Sequence, residues 1–153
     1  IIIDGVKIKK ILVHGHDRGN FMEILRDDDK LLKKFGQASY TITYSGIIKA
    51  FHWHEKQDDL WFVVNGNIQI VLYDLRKSSK THKQTQVIYA GDLYEKQLVL
   101  IPPGVAHGYR VLGNEPATLL YFTTESYNSQ DPDEKRIPFD DPGIGFDWET
   151  KDK

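Results

Sequence analysis

The chain has 153 residues, the length of one ordinary domain, with 20 Lys and Arg against 22 Asp and Glu, a formal net charge of −2 and 40% hydrophobic residues. That near-neutral balance gives no bulk attraction to nucleic acid, and no apolar run approaches the length of a membrane span. Cysteine is absent, which excludes disulfides and cysteine-based metal or redox sites; the N-terminus IIIDGVKIKK turns charged too soon for a signal peptide, so a cytoplasmic protein is expected.

In chain order, Lys7 to Val13 alternates loosely and reads as a first strand, which His14, Gly15 and His16 break. Asp17-Arg18-Gly19 reads as a turn and Phe21 to Leu25 as a second strand. Asp27 to Asp29 is a candidate cap for a short helix with Leu31, Leu32 and Phe35 as its apolar stripe and Gly36 as its stop. Gln37 to Tyr44 alternates and is rich in Thr and Tyr, a strand. Leu60 to Val64 and Ile68 to Leu75 flank Asn65-Gly66-Asn67, the clearest hairpin signal in the chain. RKSSKTHKQT reads as a solvated loop. Gln86 to Ala90, Leu98 to Ile101, His107 to Leu112 and Ala117 to Thr123 are further short strands separated by turn residues. The tail from Ser129 is irregular, rich in Pro, Asp and Gly, and its Phe139, Phe146 and Trp148 imply packing against the body. Many short strands with frequent turns predict an all-β sandwich or barrel, and no linker or repeat divides residues 1–153.

The stretch Gly46 to Gly66 carries the chemistry. His52 and His54 sit two apart, so on a strand they share a face, and Asp59 follows after a polar break. Later, IPPGVAHGYRV supplies His107 beside a Pro-Pro-Gly turn. The spacing resembles the two motifs of the cupin superfamily: glycine, five residues, H-x-H, a carboxylate, six residues, glycine, then P-x-G-x-x-H. Asp59 stands where the acid is usually Glu, while Lys96 and Val111 replace the leading glycine and trailing asparagine of the second motif. That resemblance makes His52, His54, Asp59 and His107 a candidate set for a divalent transition metal. Lone histidines on strands are usually structural or exposed, and His14, His16 and His82 take that reading. Trp53, Trp61 and Phe62 read as core or dimer interface.

From about Asp17 to Trp148 the chain also resembles the dTDP-4-dehydrorhamnose 3,5-epimerase family, within the RmlC-like cupins. The matching blocks are DRGNFME (17 to 23), the Gln37 strand, GIIKAFH (46 to 52), VVNGNIQIVLYDLRKSSKT (63 to 81), IPPGVAHGYRVL (101 to 112), YFTTESYN (121 to 128) and RIPFDDPGIGFDW (136 to 148). The resemblance implies a jelly-roll barrel, a homodimer formed by exchanging N-terminal strands, no required cofactor, and action on nucleotide-diphosphate sugars bearing a 4-keto group. It implies His52 as the base and Tyr121 as the acid. It places Arg18, Phe21 and Glu23 at the nucleotide, Gln37, His107 and Tyr127 at the substrate, and Lys49 where the family has a phosphate-binding arginine. Strict alternation puts Lys49 and His52 on opposite strand faces, so both reach one site only through a bulge.

The chain departs from the family at several positions. The enolate-stabilising lysine corresponds to Asp59, and the residue two after the base, commonly Gln, is His54. The C-terminal S-x-K-D-like segment, whose aspartate orients the base, has no match; Asp74 and Asp152 are the carboxylates considered in its place. A related group of sugar-nucleotide 3,4-ketoisomerases carries H-x-H on this strand. The expected function is thus epimerisation or isomerisation of an activated 4-keto sugar with His52, Tyr121, His54 and Asp59 as catalytic residues. A metal-dependent cupin enzyme and a non-catalytic nucleotide-sugar binder are the alternatives.

Overall fold

The computed structural model describes residues 1–152. Its twelve strands in chain order are β1 (Lys7–Lys10), β2 (His14–His16), β3 (Gly19–Phe21), β4 (Gln37–Thr43), β5 (Ile48–Trp53), β6 (Asp59–Asn65), β7 (Asn67–Asp74), β8 (Thr85–Gly91), β9 (Gln97–Ile101), β10 (Val105–Leu112), β11 (Ala117–Thr123) and β12 (Lys135–Arg136). Two five-stranded antiparallel sheets, ordered β1-β9-β6-β11-β4 and β12-β5-β10-β7-β8, face each other as a cupin jelly roll; β2 and β3 form a separate hairpin. Among the described residues no helix is long and apolar enough to cross a membrane.

Between the sheets, Val63, Ile68, Ile70, Leu72, Val99, Ile101, Val105, Val111 and Leu119 build the central core. The outer faces are covered too. Leu60, Phe62, Leu98 and Leu100 pack under Ile11, Met22, Ile24, Leu31 and Leu32. Phe51, Val71, Tyr73 and Ala106 pack under Trp148, Ile137 and Phe146 of the tail. Strands covered on both faces read as unbroken apolar runs, which is why Leu60 to Val63 and Ile70 to Leu72 do not alternate. The β6–β7 hairpin turns on Gly66 at φ +81°, where a Cβ would lie 2.4 Å from the Pro116 carbonyl oxygen, so only glycine fits.

The structure differs from the sequence expectations in several places; the first strand, expected over Lys7 to Val13, ends at Lys10. The helix expected after Asp27 is a single 3₁₀ turn, Asp27–Asp29, closed by Lys30 in the left-handed region at φ 56°. Burial decides against it: Leu31 and Leu32 turn onto the outer sheet face while Phe35 stays exposed, so they share no helical stripe. His14 to His16, expected as a break, pairs with β3, and the strand expected over Phe21 to Leu25 ends at Phe21. The tail, expected to be irregular, contributes β12, which pairs with β5 through Lys135↔Trp53 and Arg136↔His52.

Candidate active site

Three core strands change character toward one end of the barrel. Along β10 the inward positions run Val111, Tyr109, His107; along β11 they run Ala117, Leu119, Tyr121, Thr123; along β6 they run Val63, Trp61, Asp59. The same period that builds the apolar core therefore delivers polar groups at the mouth. There a cavity of about 780 Å³ opens, lined among others by Gln37, Lys49, His52, His54, Tyr121 and Tyr127.

Lys49 and His52 reach it together because β5 is bulged. β10 pairs His107 with His52 and Tyr109 with Lys49, so a two-residue step on β10 faces a three-residue step on β5. Lys49 sits at the rim, its Nζ donating to Thr41 Oγ1 at 3.3 Å. On the facing sheet, Gln37 Oε1 accepts the Tyr127 N–H at 2.8 Å.

His52 presents part of its ring to the cavity, but its Nδ1 is buried and lies 3.0 Å from Glu134 Oε1, out of line for a well-formed hydrogen bond. Burial lowers the His52 pKa below 6.5, and Arg136 pushes the same way; Glu134 opposes both.

Beside it, Asp59 is clasped by two imidazoles. His54 Nδ1 donates to the Asp133 carbonyl at 2.5 Å and His107 Nδ1 to the Val105 carbonyl at 3.0 Å. These bonds turn both Nε2 atoms toward Asp59, at 3.4 Å for His54 and 3.7 Å for His107. Gln57 Nε2 and Trp61 Nε1 each donate to one Asp59 oxygen, at 2.8 and 3.1 Å. Burial opposes ionisation of Asp59, yet His54, His107 and the Gln57 amide bring its pKa down to about 2. Burial also opposes a charged His54, but Asp59 and the Asp133 carbonyl outweigh it and raise its pKa above 6.5. His107, fully buried, falls to about 4. The pocket thus favours a neutral imidazole at His52 and, beside it, a His54–Asp59 pair in which the carboxylate favours the protonated imidazole.

Of the residues singled out from sequence, His52, His54, Asp59, His107, Tyr121, Gln37, Lys49 and Tyr127 line this one cavity. Arg18, Phe21 and Glu23 do not line it; Arg18 and Phe21 sit on the exposed β2–β3 hairpin and Glu23 bonds Arg26 Nη1 at 2.7 Å. As a ligand cluster, His54, Asp59 and His107 have atoms within 4.8 Å of one another, and His52 is not among them. Asp74 orients no histidine: it is fully buried and held by Arg76, Ser79 and Thr81. Asp152 is exposed and does not line the cavity. Sequence reasoning passed over Asp133 and Glu134, which lie in a segment with no periodicity to flag them.

Residues 1–153 match the family described as dTDP-4-dehydrorhamnose 3,5-epimerase. The spore coat polysaccharide biosynthesis protein SpsL of Bacillus subtilis is 61% identical over 150 residues, covering 98% of this chain and 99% of SpsL. The crystal structure of a dTDP sugar isomerase from Desulfovibrio desulfuricans superposes with a TM-score of 0.89 at 27% identity, covering 98% of this chain and 94% of that one. That of dTDP-6-deoxy-D-glucose-3,5-epimerase RmlC from Legionella pneumophila, in complex with dTDP-4-keto-L-rhamnose, has a TM-score of 0.85 at 27% identity, covering 97% and 80%. With the whole length matched and the polar mouth of the barrel in place, the chain belongs to the dTDP-4-dehydrorhamnose 3,5-epimerase family.

Proposed function

We propose that the protein epimerises or isomerises a nucleotide-linked 4-keto-6-deoxy sugar by taking a proton from the carbon beside the ketone. The observation that carries this reading is the placement of His52 and Tyr121 on opposite sheets around one cavity. A ketone makes the neighbouring C–H acidic enough for an imidazole that is neutral near pH 7, and burial keeps His52 neutral there. Loss of the proton leaves an enolate. In place of the lysine that the family has at position 59 stands the His54–Asp59 pair, net neutral as a whole, in which the His54 imidazolium is the group that can offer positive charge to the enolate oxygen. Return of a proton from the Tyr121 hydroxyl on the other ring face inverts the carbon; return at the adjacent carbon through an enediol isomerises it.

The Legionella relative was solved with dTDP-4-keto-L-rhamnose, and we carry that substrate class over. Lys49 offers a point charge to the diphosphate, and Gln37, His107 and Tyr127 frame the sugar. Arg18, Phe21 and Glu23 line no part of this chain's own cavity, so we assign them to a nucleotide subsite completed by a second copy in a homodimer. The exposed Leu12, Val13 and Phe21 around that hairpin supply apolar surface for pairing.

A second reading rests on the direction of the two Nε2 atoms. With both Nδ1 protons given to backbone carbonyls, loss of the second His54 proton would leave the Nε2 lone pairs of His54 and His107 converging on an ionised carboxylate, a donor set that suits zinc, iron, nickel or manganese. His54, Asp59 and His107 would hold such an ion, which would supply Lewis-acid charge at the enolate oxygen.

Nucleotide sugars screened by NMR for entry of solvent deuterium at ring carbons, with and without chelator, test the function. Exchange that survives chelator supports the metal-free reading, and exchange that chelator abolishes supports the second. A protein that binds the sugars but exchanges nothing is a binder and overturns both.

A further inference from the structure

His52 needs one specific tautomer to serve as a base. Its Nδ1 is buried, so Nε2 is the nitrogen left to meet substrate, and Nδ1 must carry the proton. A buried N–H requires an acceptor, and the carboxylate 3.0 Å away belongs to Glu134.

The backbone holds Glu134 in place from both sides. Before it, the Asp133 carboxylate accepts the backbone N–H groups of Glu55, Lys56 and Gln57 at 2.7, 2.9 and 3.1 Å, while its carbonyl takes the His54 proton. After it, β12 is hydrogen-bonded to β5 with Arg136 opposite His52 itself. Arg136, His54 and His107 also bear on the ring, and none of the three offers an anionic acceptor. The two atoms are within hydrogen-bond distance, and catalytic hydrogen bonds often align only in the substrate complex.

We propose that Glu134 is the positioning carboxylate of His52: it accepts the Nδ1 proton, keeps Nε2 as the basic nitrogen, and stabilises the imidazolium that forms when the sugar gives up its proton. The carboxylate thus comes from the segment just before β12, the strand paired with the one that carries His52. The catalytic consequence rests on His52 being the base; the tautomer does not.

Glu134→Gln tests this on the full-length protein. Long-range ¹H–¹⁵N correlation on ¹⁵N-histidine-labelled protein, with His52 assigned from His52→Asn, reads which ring nitrogen carries the proton. The wild type is expected to hold it on Nδ1. In Glu134→Gln, whose amide can donate instead, the proton is expected on Nε2 or shared between the two. With an exchanging nucleotide sugar, kcat is expected to fall roughly 10- to 1,000-fold with KM within about threefold, the pattern of a lost orienting partner. An unchanged Nδ1 tautomer, or undiminished kcat in a variant with wild-type melting, overturns the proposal. A tautomer switch in a protein that turns over no nucleotide sugar upholds the pairing and instead overturns the epimerase reading.

Discussion

Gly108 lies so close to Ala50 that a Cβ on Gly108 would fall 2.3 Å from the Ala50 Cβ and 2.8 Å from the Lys49 carbonyl oxygen. That approach is where β5 bulges against β10, and the bulge is what brings Lys49 and His52 to one cavity. Gly108→Ala must push the strands apart. It should cost about 1–3 kcal/mol of stability, the usual range for overpacking a closed interior, and lower kcat/KM as well. Denaturant titration and steady-state kinetics check this; a variant of wild-type stability and activity would show that the bulge tolerates a side chain.

Asp59 and His54 make fold stability depend on pH in a bounded window. Asp59, lowered to about 2 from 3.8, stabilises the fold above 3.8, and that contribution is lost as pH falls toward 2. His54, raised from 6.5, contributes fully below 6.5, and its share is lost as pH rises through its folded value. The gap between wild type and Asp59→Ala should therefore be widest between pH 3.8 and 6.5. There it should reach roughly 3–5 kcal/mol, the cost of stranding a buried charge. Urea unfolding across pH 3 to 9 reads it, and a gap that does not vary with pH would contradict the pairing.

The rate should follow His52. Because burial lowers its pKa below 6.5, the unprotonated base persists into mildly acidic solution. The acid limb of the kcat/KM profile should fall below pH 6.5 in a wild-type protein whose substrate does not titrate there. A limb above pH 6.5 would assign the base to another group.

Arg18 lies outside the cavity of its own chain, on the β2–β3 hairpin. If a second copy's hairpin completes the nucleotide subsite, Arg18→Ala should weaken nucleoside diphosphate binding by about 1–3 kcal/mol, the worth of a charge-assisted hydrogen bond. Light scattering should return a dimer at micromolar concentration. Equal affinity by calorimetry before and after the substitution would remove Arg18 from the site, and a monomer would remove the shared subsite.

Much of the site was legible because strand periodicity and spacing carry it. His52, Asp59 and His107 sit at positions where alternation and the Pro-Pro-Gly turn force convergence, and the β5–β10 register sets His107 opposite His52. Lys49 was legible only conditionally, since alternation alone sends it to the far face and a one-residue bulge leaves no mark in the pattern. The helix after Asp27 failed because Leu31 and Leu32 answer to the sheet beneath them rather than to a helical stripe. Asp133 and Glu134 were illegible for a different reason: they act through an acidic side chain and a carbonyl brought in from an aperiodic segment, a long-range relation that no local spacing records.

The central claim is that His52 removes a ring proton from a nucleotide-linked 4-keto sugar. Its most direct test is the rate at which solvent deuterium enters the sugar ring, measured by NMR for wild type and His52→Asn under identical conditions. The account predicts exchange in the wild type and a loss of about two to four decades in the variant, the range for removing a general base. Equal exchange in a folded His52→Asn protein would contradict it.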